Sequence, residues 1–211
     1  QLAATTHQKA VVDTANLPLS AAEQGTKKLY LEDYTQLQCR ATVQSVTTEG
    51  DTCQIVLDQT CAFPGGGGQE CDLGTLSWQT GSLTITDMTK DKEGVIHHGG
   101  TLHGAMPSIG ETVSVEVDAG RRLLNSRLHC AGHLIDYAVR RLGLNWKSGK
   151  GAHYPHMSFV EYAGVFEPEQ AEKLARDIET ELQTVIDKGG AIGVISVPSD
   201  EARQYSEYIP E

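Results

Sequence analysis

The feature that most limits how this chain can fold is a change in the spacing of its apolar residues just after Asp118. Before that point apolar and polar residues alternate. Segments 37–46 (LQCRATVQSV), 52–58, 81–88, 93–98 and 111–117 are short, rich in Val, Ile and Thr, and separated by Gly, Asp and Pro. Alternation places successive side chains on opposite faces of a strand, and several short strands at such intervals predict a small barrel or curled sheet. After Asp118 the period lengthens. Leu128, Ala131, Ile135, Ala138, Val139 and Leu142 recur at steps of three and four, which predicts a helix over about 125–142 with Gly143 as its stop. A second helix is expected from Pro168, at a first-turn position, through the stripe Ala171, Leu174, Ala175, Ile178, Leu182, Val185 and Ile186, ending at Gly189-Gly190. Segments 156–166 and 191–197 read as strands. The expectation is an α+β chain: a weakly periodic N-terminal extension (1–24), a β-rich, barrel-like domain (25–118), and an α/β domain (119–211).

Composition narrows the function classes. With 39% hydrophobic and 21% charged residues the balance is that of a globular protein. The longest apolar runs are a few residues, so no membrane span or membrane partner is expected, and the N-terminal residues lack the pattern of a signal peptide. Five cysteines, Cys39, Cys53, Cys61, Cys71 and Cys130, are odd in number and scattered. That argues against a disulfide framework and for a reducing compartment such as the cytoplasm. A net charge of −11 argues against a general nucleic-acid binder and against DNA as a partner. Within 121–150, however, seven basic residues face one acid, a local charge of +6. Such an island is either a phosphate site or a solvated helix face.

Two motifs carry chemistry. His129-Cys130-Ala131-Gly132-His133 lies in the first expected helix. Residues four apart share a helix face, so both imidazoles can reach one metal ion, and nitrogen ligands suit zinc. The metalloprotease version of this motif needs Glu directly after the first His, where this chain has Cys130. The second motif is FPGGGGQ, residues 63–69, followed by Asp72 and Gly74. Four consecutive glycines are costly to order and permit close backbone approach to a ligand. No Lys-Ser or Lys-Thr follows, so this is not the phosphate loop of nucleotide hydrolases. A long hairpin turn is the alternative reading.

The order KKLYLEDY (27–34), LDQTCAFPGGGGQECDLGTL (57–76), VDAGRRLLNSRLHCAGHLIDYAV (117–139), FVEYAG (159–164) resembles the editing domain of alanyl-tRNA synthetases. The chain is identified by this resemblance as a free-standing alanyl-tRNA editing protein, homologous to that domain and to the additional domain that threonyl-tRNA synthetases share with it. The resemblance covers residues 27–211. It implies a barrel-like domain bearing the glycine loop, with 27–34 contributing a strand, then an editing core. The implied activity is zinc-dependent, ATP-independent hydrolysis of mischarged tRNA(Ala), most simply Ser-tRNA(Ala). His129 and His133 would be metal ligands and catalytic residues. Gly65, Gly66, Gly67, Gly68, Gln69 and Cys130 would meet the tRNA 3′ end and its amino acid, and Arg121, Arg122 and Arg127 its phosphates. The family completes its metal site with a later CxxxH motif, which 1–211 lacks. One zinc ion with its remaining ligands beyond Glu211 is therefore expected; the alternative is their loss, with His153 or His156 as substitutes. The family often has Thr where Cys130 stands, and a thiol is the weaker hydrogen-bond donor. A non-catalytic tRNA-binding or synthetase-associated module is the competing reading.

Overall fold

The computed structural model describes residues 25–49, 52–190, 197–198, 200–201 and 204. The expected extension over 1–24 and nearly all of the expected strand 191–197 lie outside the described residues. The elements are β1 (Lys27–Lys28), β2 (Gln38–Glu49), β3 (Thr52–Leu57), β4 (Gln59–Thr60), β5 (Gly74–Trp78), β6 (Gly81–Lys90), β7 (Ile96–Gly104), β8 (Thr112–Val117), α1 (Ala119–Arg141), β9 (Lys147–Tyr154), β10 (Met157–Ala163) and α2 (Ala171–Lys188). The described residues of 1–130 and 151–159 form one compact unit, and those of 131–150 and 160–211 a second.

The first unit is built on a closed barrel in the order β2-β3-β7-β6-β5-β8, with β8 returning to β2. Closure pairs every strand on both sides, so the barrel has no open edge. Alternation fills it: Val113, Val115 and Val117 of β8 point inward while Thr112, Ser114 and Glu116 face out. Val43, Ile55, Leu57, Leu76, Leu83, Ile85 and Ile96 complete a core in which each is at most 2% exposed. Burying side chains of this size contributes roughly 1.5–3 kcal/mol apiece.

Segment 27–34 departs from the expected strand. Only Lys27 and Lys28 pair, in parallel, with Gln59 and Thr60. Leu29–Leu31 then turns as a 3-10 helix. A strand would send Leu29 and Tyr30 to opposite faces, whereas the turn buries both, with Tyr30 edge-on to Phe63 at 5.4 Å. Strands β5 and β9 were not expected either; Lys147-Ser148-Gly149-Lys150-Gly151 has no β-branched residue to signal one. The change from strand to helix falls at Asp118. Its backbone N–H donates to Leu73 O, and its Oδ1 accepts from Arg121 N at 3.0 Å, capping α1. Helix α1 therefore starts six residues earlier than the apolar stripe indicates, because its first turns are set by the cap.

Buried His98 on β7 ties the barrel to the segment entering the glycine loop. Its Nδ1 is 3.0 Å from Ile55 O and its Nε2 3.0 Å from Thr60 Oγ1. A carbonyl only accepts, so Nδ1 carries the hydrogen and Nε2 accepts from the Thr60 hydroxyl, which in turn accepts from Ala62 N at 3.1 Å. Burial pushes the His98 imidazole down to about 4 from 6.5. The folded state thus prefers neutral His98. Its contribution is present above pH 6.5 and is lost as pH falls toward 4, by roughly 3 kcal/mol in all. Urea unfolding from pH 7 to pH 4.5 is expected to show this slope in the wild type and a shallower one in His98→Asn. Equal slopes would refute it.

In the second unit α2 follows a 3-10 turn at Pro168–Gln170 in which Glu167 and Gln170 form a capping box. It closes at Gly189, φ +65°. Strands β9 and β10 pair as a two-stranded sheet, of which residues 151–159 belong to the first unit. Among the described residues no helix is long and apolar enough to cross a membrane.

Candidate functional site

The glycine run leaves the barrel at Cys61 and returns to it at Gly74. Gly65, Gly66, Gly67 and Gly68 have φ of +85°, +128°, +60° and +78°. Side chains other than hydrogen strain this conformation, so the run of four is what the backbone path demands. Gly66 and Gln69 exchange both backbone hydrogen bonds, at 3.0 and 3.1 Å, which makes a closed turn with Gly67 and Gly68 at its tip. At Gly68 a Cβ would lie 2.6 Å from Gly151 O, and Gly68 O accepts from His153 N at 2.8 Å. The tip is thereby fixed to the 151–159 part of the same unit.

His129 faces this turn. Its Nδ1 is 3.1 Å from Gln69 Oε1, an acceptor, so Nδ1 carries the hydrogen of this bond. A Cβ on Gly67 would touch His129 Cε1 at 3.6 Å. The His153 ring, buried, packs on His129 with centroids 4.6 Å apart. The first unit thus brings together Gly67, Gly68, Gln69, His129 and His153. His133 is one turn further along α1 and exposed. Cys130, half-buried, follows His129. His153 is the residue that sequence reasoning undervalued; it is separated from the glycine loop by more than eighty positions, and only pairing of Gly68 with His153 reveals it.

The basic residues divide. Arg122, expected to meet phosphate, is instead interior: it is 6% exposed, its Nε and Nη2 grip Asp72 at 2.6–3.1 Å, and Nη2 and Nη1 reach Cys61 O and Tyr34 O, both at 2.7 Å. Asp72, wholly buried, also accepts from Phe63 N at 2.6 Å. The pair staples both stems of the loop to α1. Arg121 is half-buried and bonded to Glu70 at 2.9 Å and Cys71 O at 3.0 Å. Arg127 is exposed. One turn before His129, Asn125 is fully buried, with no hydrogen-bond partner for its amide among the described residues.

Zinc requires four ligands in a structural shell, or three and a water in a catalytic one. Among the described residues no group of three or more His, Cys, Asp or Glu side chains is arranged to hold a metal ion. The helical pair of imidazoles does not complete a shell with its described neighbours.

Residues 3–121 match the family model described as tRNA synthetases class II (A). The chain belongs to that family. Alanine–tRNA ligase of Methanopyrus kandleri is 33% identical over 159 residues, covering 72% of this chain and 17% of the ligase. That of Korarchaeum cryptofilum is 32% identical over 159 residues, with the same coverage of 72% and 17%. The alanyl-tRNA editing protein AlaX-L of Pyrococcus horikoshii is 31% identical over 116 residues, 55% of this chain and 28% of that protein. The chain thus spans under a fifth of the class II ligases it resembles. The family match takes in the barrel, the glycine loop and Asp72, and stops at Arg121, before the histidines of α1.

Proposed function

We propose that this chain removes wrongly attached amino acids from tRNA(Ala), hydrolysing the ester that joins the amino acid to the terminal ribose. The observation that supports it most is His129 held against a turn of four glycines in a chain similar to alanine–tRNA ligases and to an alanyl-tRNA editing protein. The turn offers backbone that a ribose or carbonyl can approach with no side chain between. In the reaction a water oxygen bonds to the ester carbonyl carbon, and the ribose oxygen leaves with a proton. Serine is the expected target. An alanine site rejects a residue that merely adds a hydroxyl poorly, whereas a second site that bonds the hydroxyl leaves polar groups unpaired when alanine enters. Of Arg121, Arg122 and Arg127, Arg127 is the one exposed and is proposed to meet phosphate. Cys130 and Gln69 are proposed to meet the amino-acid end.

His129 and His133 would hold a zinc ion together with donors other than their described neighbours. The competing reading, a tRNA-binding module without catalysis, is supported by the same similarity to alanine–tRNA ligases. Release of labelled serine and labelled alanine from the same tRNA(Ala) decides. The expected result is rapid loss of serine with alanine retained, and close to one metal ion per chain. Equal loss of both amino acids would remove the editing reading. No loss of either, with tRNA bound, would establish the second.

A further inference from the structure

Within the second unit, the end of α1, the strand start at Lys147 and β10 enclose a cavity of about 390 Å³. That lies in the range of small-ligand sites, about 300–1,000 Å³. Its character differs from that of the rest of an acidic chain. Trp146 forms one wall and sits tight against Gly164, where a Cβ would lie 2.0 Å from the indole. Tyr162 and Phe166 flank it at 6.2 and 5.9 Å between centroids. Arg140 and Lys147 line the cavity and are exposed, and neither forms an ion pair among the described residues. Neighbouring Arg141, by contrast, is engaged by Glu181. The one carboxylate in the lining, Asp136, accepts the Tyr162 hydroxyl at 2.6 Å and keeps a second oxygen; Asn145 adds an amide.

An aromatic wall, two exposed cations and an acceptor–amide pair make up the recognition set for a planar base with a phosphate attached. We propose that this cavity takes one unpaired nucleotide of an RNA chain, its base against Trp146, its base edge toward Asp136 and Asn145, and its phosphate on Arg140 and Lys147. The choice of RNA among planar anions rests on the tRNA reading above; the cavity itself does not involve the glycine loop or His129.

The chain has two tryptophans, so Trp78→Phe leaves Trp146 as the sole reporter. Titrating that full-length variant with single-stranded RNA hexamers is expected to quench its fluorescence saturably. Adding Arg140→Ala and Lys147→Ala, both exposed, should weaken binding at least about tenfold and reduce the salt slope by about 1.4 for two lost phosphate contacts. Trp146→Leu should weaken binding about fivefold or more, in protein whose thermal unfolding is still cooperative. Absence of quenching, or unchanged affinity in the double variant, would overturn the proposal. So would inorganic polyphosphate that quenches and competes as well as RNA, because the cavity would then be a general anion site. The two readings fail separately. Serine release by wild type with tRNA affinity intact in the double variant rejects the cavity alone. RNA-dependent quenching without serine release rejects the editing reading alone.

Discussion

Arg122→Ala and Asp72→Ala are each expected to lower unfolding free energy by about 3–5 kcal/mol, the cost of leaving a buried charge without its partner. Against total stabilities of about 5–15 kcal/mol this removes a large part of the margin. The loss is larger than for a surface pair because both side chains are interior and because each makes further bonds. Arg122 holds the carbonyls of Cys61 and Tyr34, and Asp72 holds the amide of Phe63. Arg122→Lys is not expected to rescue, since a single ammonium cannot reproduce a fork that spans a carboxylate and two carbonyls in different directions. Replacing both partners with apolar residues should cost less than either single change. Urea unfolding at constant pH measures all four. Single variants within about 1 kcal/mol of wild type would show that the ion pair does not stabilise the loop stems.

Much of this frame was legible in the chain. The inward valines of β8 and the stripe of α1 are periodic, and periodicity is what burial imprints on sequence. Asp118 was legible as the point of change. The fate of Arg122 was not. Arg121, Arg122 and Arg127 look alike in a basic stretch, and what separates them is the partner each meets some fifty residues away: Glu70, Asp72 or solvent. For the same reason His153 did not stand out, since its link to Gly68 is a backbone bond that any residue type could make. The local strand 27–34 misled because Leu29 and Tyr30 are both apolar, and a turn buries adjacent residues that a strand would separate.

His129→Ala is expected to reduce release of serine on the order of a thousand-fold, the scale on which active-site polar groups act, with tRNA affinity nearly unchanged. His129 is the imidazole that the glycine turn approaches, and Gln69 accepts from its Nδ1. His133→Ala is expected to have an effect of the same order, because the proposal gives both rings to one ion, and metal content should fall in both variants. Single-turnover hydrolysis and elemental analysis on the same preparations provide the measurement. Full activity in either variant would take that histidine out of the reaction. Activity lost while metal stays at one per chain would keep the histidine and discard its role as a ligand.

The four glycines have a consequence for what kind of information the loop stores. Their φ angles are those of the opposite hand, so residues 65–68 trace a path that mirror-image amino acids would follow at ease. The shape is written by what the residues lack, and no side chain there can drift to another identity without leaving the path. A stretch of this kind is silent to chemistry of its own. It holds a surface of bare peptide groups, and under the editing proposal any discrimination falls to the side chains around it.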